Sequence, residues 1–372
     1  MDQGVSRRKV ITYTIIVFSV IVICFACLFL SKMLRKKISG GDASSAPSET
    51  EAIVTETLQT KTGDDPDVIV IEIQEAQKAR IEEKKNSPDV GRSYYEEGKL
   101  EDELLAAYKD RPLSDFPKDN VANCPDHLEC REIQGSKVYY ATSKDHPDEY
   151  SRNILIIHGG AYLMDITYRD SFREMVDWCD ARLCIPLFQP VFGGTYKEAY
   201  DLILEVYKDL LEDDHELVLV GDSSGGGLAL GFVEYIQTLG MELPDKIVLN
   251  CPWLDVTLSN PEVPNYEERD ILLGTYGLRI LGEMWAGDLD PKDYRISPIY
   301  GEIHDLPKTL ILTGTEEIFY PDVMDLYSRM KEGDMDVRLI YGEGLYHFYS
   351  EWNTPEGYTA RRLIAQFING DL

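Results

Sequence analysis

The stretch that most restricts the fold is a short apolar run, residues 217–220 (LVLV), leading directly into Gly221-Asp222-Ser223-Ser224-Gly225-Gly226-Gly227. The run reads as a buried strand, and the apolar-periodic segment 226–238 reads as a helix. G-x-S-x-G between a strand and a helix describes a sharp, strained turn with serine at its tip. The residues two away on either side must lack side chains for strand and helix to pack closely, and Gly221 and Gly225 meet that need. A Gly-rich turn at a helix start can instead cradle a phosphate. No Lys follows these glycines, so this is not a P-loop. Ser223 is the candidate nucleophile.

The same alternation runs through the rest of the C-terminal part. Strand-like runs lie at 153–157 (NILII), 183–188 (LCIPLF), 247–250 (IVLN), 309–313 (TLILT) and 337–341 (VRLIY). Between and after them, helical spacing appears at 171–180, 196–211, 321–331 and 355–368. Strands alternating with helices imply an α/β fold: a mostly parallel sheet with right-handed crossovers and helices on both faces. Chemistry in such sheets collects at the carboxyl ends of the strands.

Attack by serine on a carbonyl creates an oxyanion, which needs preorganised N–H donors. The strand at 153–157 is followed by His158-Gly159-Gly160-Ala161-Tyr162. Gly159 and Gly160 can turn two N–H groups inward, and Ser224 N–H supplies a third. His158 is expected to hold this loop rather than act as a base. Of six His, only His304 and His347 follow Ser223, as the order serine, acid, histidine requires. His304 sits before a strand in GEIHDLP, whereas His347 follows the last strand at its carboxyl end in GEGLYHF, so His347 is the candidate base. The acid is sought after the strand 309–313, among Glu316, Glu317, Asp322 and Asp325. Distance from the strand end favours the Glu pair. Asp322 follows Pro321 and suits a helix first turn. Residue chemistry alone does not separate Glu316 from Glu317.

The N-terminal part differs in kind. Residues 10–30 contain no charged side chain over 21 positions, with Arg7, Arg8 and Lys9 before them and Lys32, Arg35, Lys36 and Lys37 after. A bilayer-spanning helix needs about 20 such residues. A cleaved signal peptide would be shorter and followed by a small-x-small site, which is absent. Residues 1–38 are therefore expected to be a single-pass membrane anchor, and the domain behind it to face outward. The flanking basic residues are nearly balanced and do not fix that side. Residues 39–91, opening with SGGDASSAPSETEA, read as an acidic flexible tether, with a short apolar stretch at 68–73 and a charged, solvent-exposed helix at 74–86. Residues 92–372 form the globular domain. The formal net charge of -29 removes any general attraction to nucleic acid.

HGGAY, GDSSGG, Cys251-Pro252-Trp253-Leu254-Asp255, Ser297-Pro298, TGTEEIFYPD and LYHF occur in the order seen in the hormone-sensitive-lipase-like group of α/β-hydrolases. The resemblance covers roughly residues 150 to 370, and several motifs in order make it specific. It implies an α/β-hydrolase fold and a carboxylesterase with a small, short-acyl ester as substrate. It places the nucleophile at Ser223, the histidine at His347 and the acid at Glu317, where the group usually has Asp. Asp222 matches its motif and takes a supporting role. A helical cap is implied from residues 92–125, with a helix at 94–109. Trp253 to Asp255 match a loop that either lines the pocket or packs the core. Cys124 and Cys130 are close enough in sequence for a loop disulfide, while Cys179, Cys184 and Cys251 read as buried thiols. There is no HExxH, EF-hand loop or dinucleotide fingerprint, so neither cofactor nor metal is expected.

Overall fold

The alternation of apolar side chains along each central strand decides the layering. Ile154 and Ile156 point to one face of the sheet, while Leu155 and Ile157 point to the other. Val248 likewise opposes Ile247 and Leu249. Both faces of these strands are apolar, so both must be covered by helices.

The computed structural model describes residues 60–85, 87, 91–110, 126–164, 166 and 169–372. Among them, ten strands form one sheet: β1 (Thr60–Thr62), β2 (Val68–Glu72), β3 (His127–Ile133), β4 (Ser136–Thr142), β5 (Arg152–Ile157), β6 (Ala181–Pro186), β7 (Glu216–Asp222), β8 (Lys246–Asn250), β9 (Lys308–Gly314) and β10 (Val337–Glu343). Their spatial order is β1-β2-β10-β9-β8-β7-β5-β6-β4-β3. The run from β2 to β6 is parallel, and β1, β4 and β3 pair antiparallel at the two edges. The longer helices are α1 (Glu75–Lys85), α2 (Asp170–Cys179), α3 (Tyr196–Leu211), α4 (Ser224–Thr238), α5 (Thr275–Ala286), α6 (Tyr320–Glu332) and α7 (Pro355–Asn369). The apolar sides of α3, α4 and α6 (Ile203, Phe232, Leu326) cover one face of the sheet. Those of α2 and α7 (Phe172, Val176, Leu363, Phe367) cover the other. The α/β class, the mostly parallel sheet and its two-sided cover are as expected.

Three differences have physical causes. First, the segment read as the end of a tether joins the sheet. Val68–Glu72 pairs with β10 in the register Leu339↔Val68 to Glu343↔Glu72, and Val68, Val70 and Ile71 are buried. The apolar stretch noted at 68–73 is a strand that needs a partner, and its acidic surroundings carry no sign of one. The helix after it forms at Glu75–Lys85 and buries Gln77 and Ile81. Second, β3 and β4 form an unforeseen hairpin. Gln134 (φ 52°) and Gly135 (φ 77°) both lie in the left-handed region, as a two-residue turn of the favoured twist requires. β3 (HLECREI) is an edge strand with mostly exposed residues, so it lacks the apolar signal. Third, the expected helix at 94–109 is broken into a 3-10 turn at Gly91–Tyr95, a wide turn at Leu100–Leu105 and one α turn at Ala106–Tyr108. Tyr95 packs closely over Gly274 and Gly277 at the start of α5. Residues 111–125 of the expected cap, the membrane segment, the tether to residue 59 and Cys124 lie outside the described residues. Among the described residues, no helix is long and apolar enough to cross a membrane.

One buried acid is out of place by charge. Glu234 on α4 faces Gly301, and its Oε1 has no hydrogen-bond partner among the described residues. Burial pushes its carboxyl up to about 8. A raised acid keeps its proton in the folded chain after the unfolded chain has released it, so its contribution to stability falls as pH rises through that window. The size is at most about 5 kcal/mol. Glu234→Gln should therefore gain stability over the parent between about pH 5 and about pH 9 in denaturant unfolding. A difference that stays flat with pH would contradict this assignment.

Candidate active site

β7 ends in the turn predicted from its glycines. Ser223 adopts φ 54° and ψ −119°, outside the regions that L-residues favour. The neighbours hold it there. Ser223 N–H donates to Asn250 O at 2.9 Å, and Ser223 O accepts from Gly226 N–H and Trp253 N–H, each at 2.9 Å. A Cβ on Gly221 would stand 2.6 Å from Gly225 O and 2.7 Å from Ala229 Cβ. A Cβ on Gly225 would run into the carbonyls of Ile157 and His158. Both glycines are there because strand and helix cross at contact distance.

Ser223, His347 and Glu317 come together although 124 and 30 positions separate the partners. Ser223 Oγ lies 2.9 Å from His347 Nε2. His347 Nδ1 lies 2.6 Å from Glu317 Oε2. Glu317 is completely buried, and its other oxygen accepts from Thr313 Oγ1 and from Gly314 N–H at 3.1 Å. An acceptor-only carboxylate held this way keeps one oxygen aimed at Nδ1, which fixes the imidazole with its free lone pair towards serine. Phe319 packs edge-on to the His347 ring, with centroids 5.1 Å apart. The neighbouring acids are elsewhere. Glu316 pairs with Arg269. Asp322 sits in the first turn of α6 and accepts from Asn260 Nδ2 at 2.8 Å. Glu317 carries the carboxylate that reaches His347 Nδ1.

The loop after β5 lies against this turn. A Cβ on Gly159 would stand 2.6 Å from Asp222 O and 2.9 Å from Ser223 Cβ. Gly160 has φ 118°, which favours glycine, and Ala161 and Tyr162 follow in the left-handed region. Tyr162 Oη donates to Ser224 O at 3.0 Å, tying the loop to the start of α4. His158 Nδ1 donates to Gly159 O at 2.8 Å, and its ring stacks on Phe188 at 4.2 Å. His304 lies on the exposed surface beside Asp305.

Asp222 has the supporting place the resemblance gives it, whereas its partners Arg169 and Asn250, and Glu351 and Asp270 beyond them, were not singled out in the sequence. Asp222 accepts from Arg169 Nη2 at 2.6 Å and from Asn250 Nδ2 at 2.9 Å. Arg169 also pairs with Glu351 at 3.4 Å, so one guanidinium ties the nucleophile turn to the segment after His347. Asp270 is fully buried and accepts from the N–H groups of Leu272, Leu273 and Ile318, bracing the residue next to Glu317. Burial pushes its carboxyl up to about 6 despite the opposing pull of His347. Each of these residues belongs to a segment far away in the chain, and no local pattern marks it. Trp253 is core: it is fully buried, near-parallel to the rings of Tyr162 and Phe319. Asp255 staples its own loop by accepting from Thr257 and Ser259. Cys179, Cys184 and Cys251 are buried free thiols, as expected.

A profile for the alpha/beta hydrolase fold matches residues 154–351. The chain belongs to the α/β-hydrolase fold family. It is 27% identical to an esterase of Acinetobacter venetianus over 222 residues, 58% of this chain and 73% of the relative. It is 26% identical to an acetyl-hydrolase of Streptomyces hygroscopicus over 224 residues, 58% of this chain and 75% of the relative. The fold is similar to that of an esterase from the bacterial hormone-sensitive lipase (HSL) family. Their TM-score is 0.65 at 20% identity, covering 80% of this chain and 99% of the other.

The Gly159 contact yields a direct test. Gly159→Ala places a methyl group against the Asp222 carbonyl and the Ser223 side chain, so it should cost about 1–3 kcal/mol. Thermal unfolding measures that loss, and an unchanged melting temperature would show that the loop has room to move.

Proposed function

We propose that this chain is a serine carboxylesterase, anchored by residues 10–30, that hydrolyses short-acyl esters through an acyl-enzyme. The observation that carries the reading is the continuous relay Ser223 Oγ to His347 Nε2, and His347 Nδ1 to a fully buried Glu317. Ser223 Oγ attacks the ester carbonyl while His347 Nε2 takes its proton. Glu317 holds the tautomer and stabilises the imidazolium that results. The N–H groups of Gly159, Gly160 and Ser224 receive the oxyanion. His347 returns the proton to the leaving alcohol, then removes one from the water that releases the acid. Relatives named esterase and acetyl-hydrolase support the reaction class. The preference for short acyl groups rests on the resemblance alone. The anchor rests on the uncharged 21-residue run and its basic flanks, with the hydrolase domain on the outer side of the membrane.

The test uses the full-length protein with p-nitrophenyl acetate, butyrate, octanoate and palmitate. Turnover should favour the short esters and vanish in Ser223→Ala. A preference for the long micellar esters would instead indicate a lipase. Glu317→Gln should lower kcat by about 10⁴-fold with little change in KM, because the acid does not touch substrate. Glu316→Gln should stay within about three-fold of the parent, because the partly buried pair it makes with Arg269 does not reach His347. Equal losses in the two variants would remove Glu317 from the relay.

A further inference from the structure

The buried edge of the relay contains a group that ester hydrolysis does not use. Cys251 follows β8 with φ 51°, is fully buried, and its N–H donates to Leu312 O at 2.9 Å. Its Sγ accepts from Phe348 N–H at 3.3 Å. One ligand atom each from Cys251, Glu317 and His347 lie within 4.8 Å of one another. Thiol, carboxylate and imidazole thus converge at the Nδ1 side of the histidine, away from the nucleophile.

We infer that Cys251 Sγ, Glu317 Oε2 and His347 Nδ1 form an inhibitory site for a thiophilic divalent cation of the Zn²⁺ class. The donor set suits that class, because thiolate and imidazole bind Zn²⁺ well while Ca²⁺ and Mg²⁺ call for oxygen ligands. Nδ1 and Oε2 now share a hydrogen bond at 2.6 Å, which an ion must open. Tetrahedral Zn²⁺ ligands stand about 3.5 Å apart, so closing on an ion takes side-chain shifts of about 1 Å. Outer partners are in place: Phe348 N–H on the sulfur, and Thr313 and Gly314 on the second oxygen of Glu317. The charges balance, since one cation of charge two meets one thiolate and one carboxylate, which a buried site requires.

The proton balance explains the inhibition. Cys251 S–H releases its proton to solvent as the S–metal bond forms. The metal takes the Nδ1 lone pair, so the single proton of neutral His347 moves to Nε2. Nε2–H then donates to Ser223 Oγ and cannot accept its proton, and no base is left. This step rests on the relay proposed above. Binding itself does not.

The experiment titrates full-length protein with Zn²⁺ while following p-nitrophenyl acetate hydrolysis, and with Co²⁺ while following the thiolate-to-cobalt charge-transfer band. Zn²⁺ should inhibit, and a chelator should restore the activity. Cys251→Ser should raise the Zn²⁺ concentration for half-inhibition at least about 100-fold and remove the cobalt band. Cys251→Ala provides the same comparison if the serine variant does not fold. Ser223→Ala should keep the band, because it leaves all three ligands. Inhibition that persists in the Cys251 variants, or no cobalt band in the parent, would overturn the site. An inactive parent with a Cys251-dependent band would instead overturn the esterase reading and keep the metal site.

Discussion

The backbone of Ser223 is the constraint around which the other loops are fitted. A non-glycine residue at φ 54° and ψ −119° costs on the order of 1–3 kcal/mol and persists only where its surroundings over-determine it. Here the surroundings are the ends of three strands. Asn250 O holds the serine N–H, Trp253 N–H holds its carbonyl, and Gly159 leaves room for its Cβ. The strain lifts Oγ out of the strand end towards His347. Loosening any of these contacts would let the serine relax into the helix or the strand and leave the relay.

Charge is handled by a second layer behind the first. Glu317 and His347 are both buried, an arrangement that is stable only when every lone pair is matched. Thr313 and Gly314 match Glu317, and Asp270 fixes the N–H of the residue after it. On the nucleophile side, Asp222 is neutralised by Arg169, which also holds Glu351. Ser223, His347 and Glu317 thus sit between an ion pair, Arg169 to Asp222, and a buried carboxyl, Asp270, that holds the Ile318 N–H; each contact spans more than 40 residues of chain.

What the sequence made legible follows from where each signal lies. Buried parallel strands announce themselves as apolar runs, so β5 to β10 were found to within a few residues. Gly221 and Gly225 marked the turn at Ser223 because strand and helix can cross only over bare backbone. His347 emerged from chain order. The edge hairpin of β3 and β4 was hidden because β3 is polar and its turn is Gln134-Gly135 instead of a stronger turn pair. Glu317 was inseparable from Glu316 without the resemblance, because the choice is made by Thr313 and Arg269, one binding each acid. Arg169 and Asp270 act across long separations, and nothing in their neighbours announces them.

The pairing of Val68–Glu72 with β10 sets where the chain can be cut. A fragment starting after residue 73 would strip β10 of its outer partner and leave Leu339 to Glu343 with open N–H and C=O groups on an apolar edge. Such an edge is a template for strand addition between molecules. It is also the strand that leads into the His347 loop. A fragment made for crystallisation should therefore begin before Thr60, because a start chosen at the end of the acidic region would expose an aggregation surface.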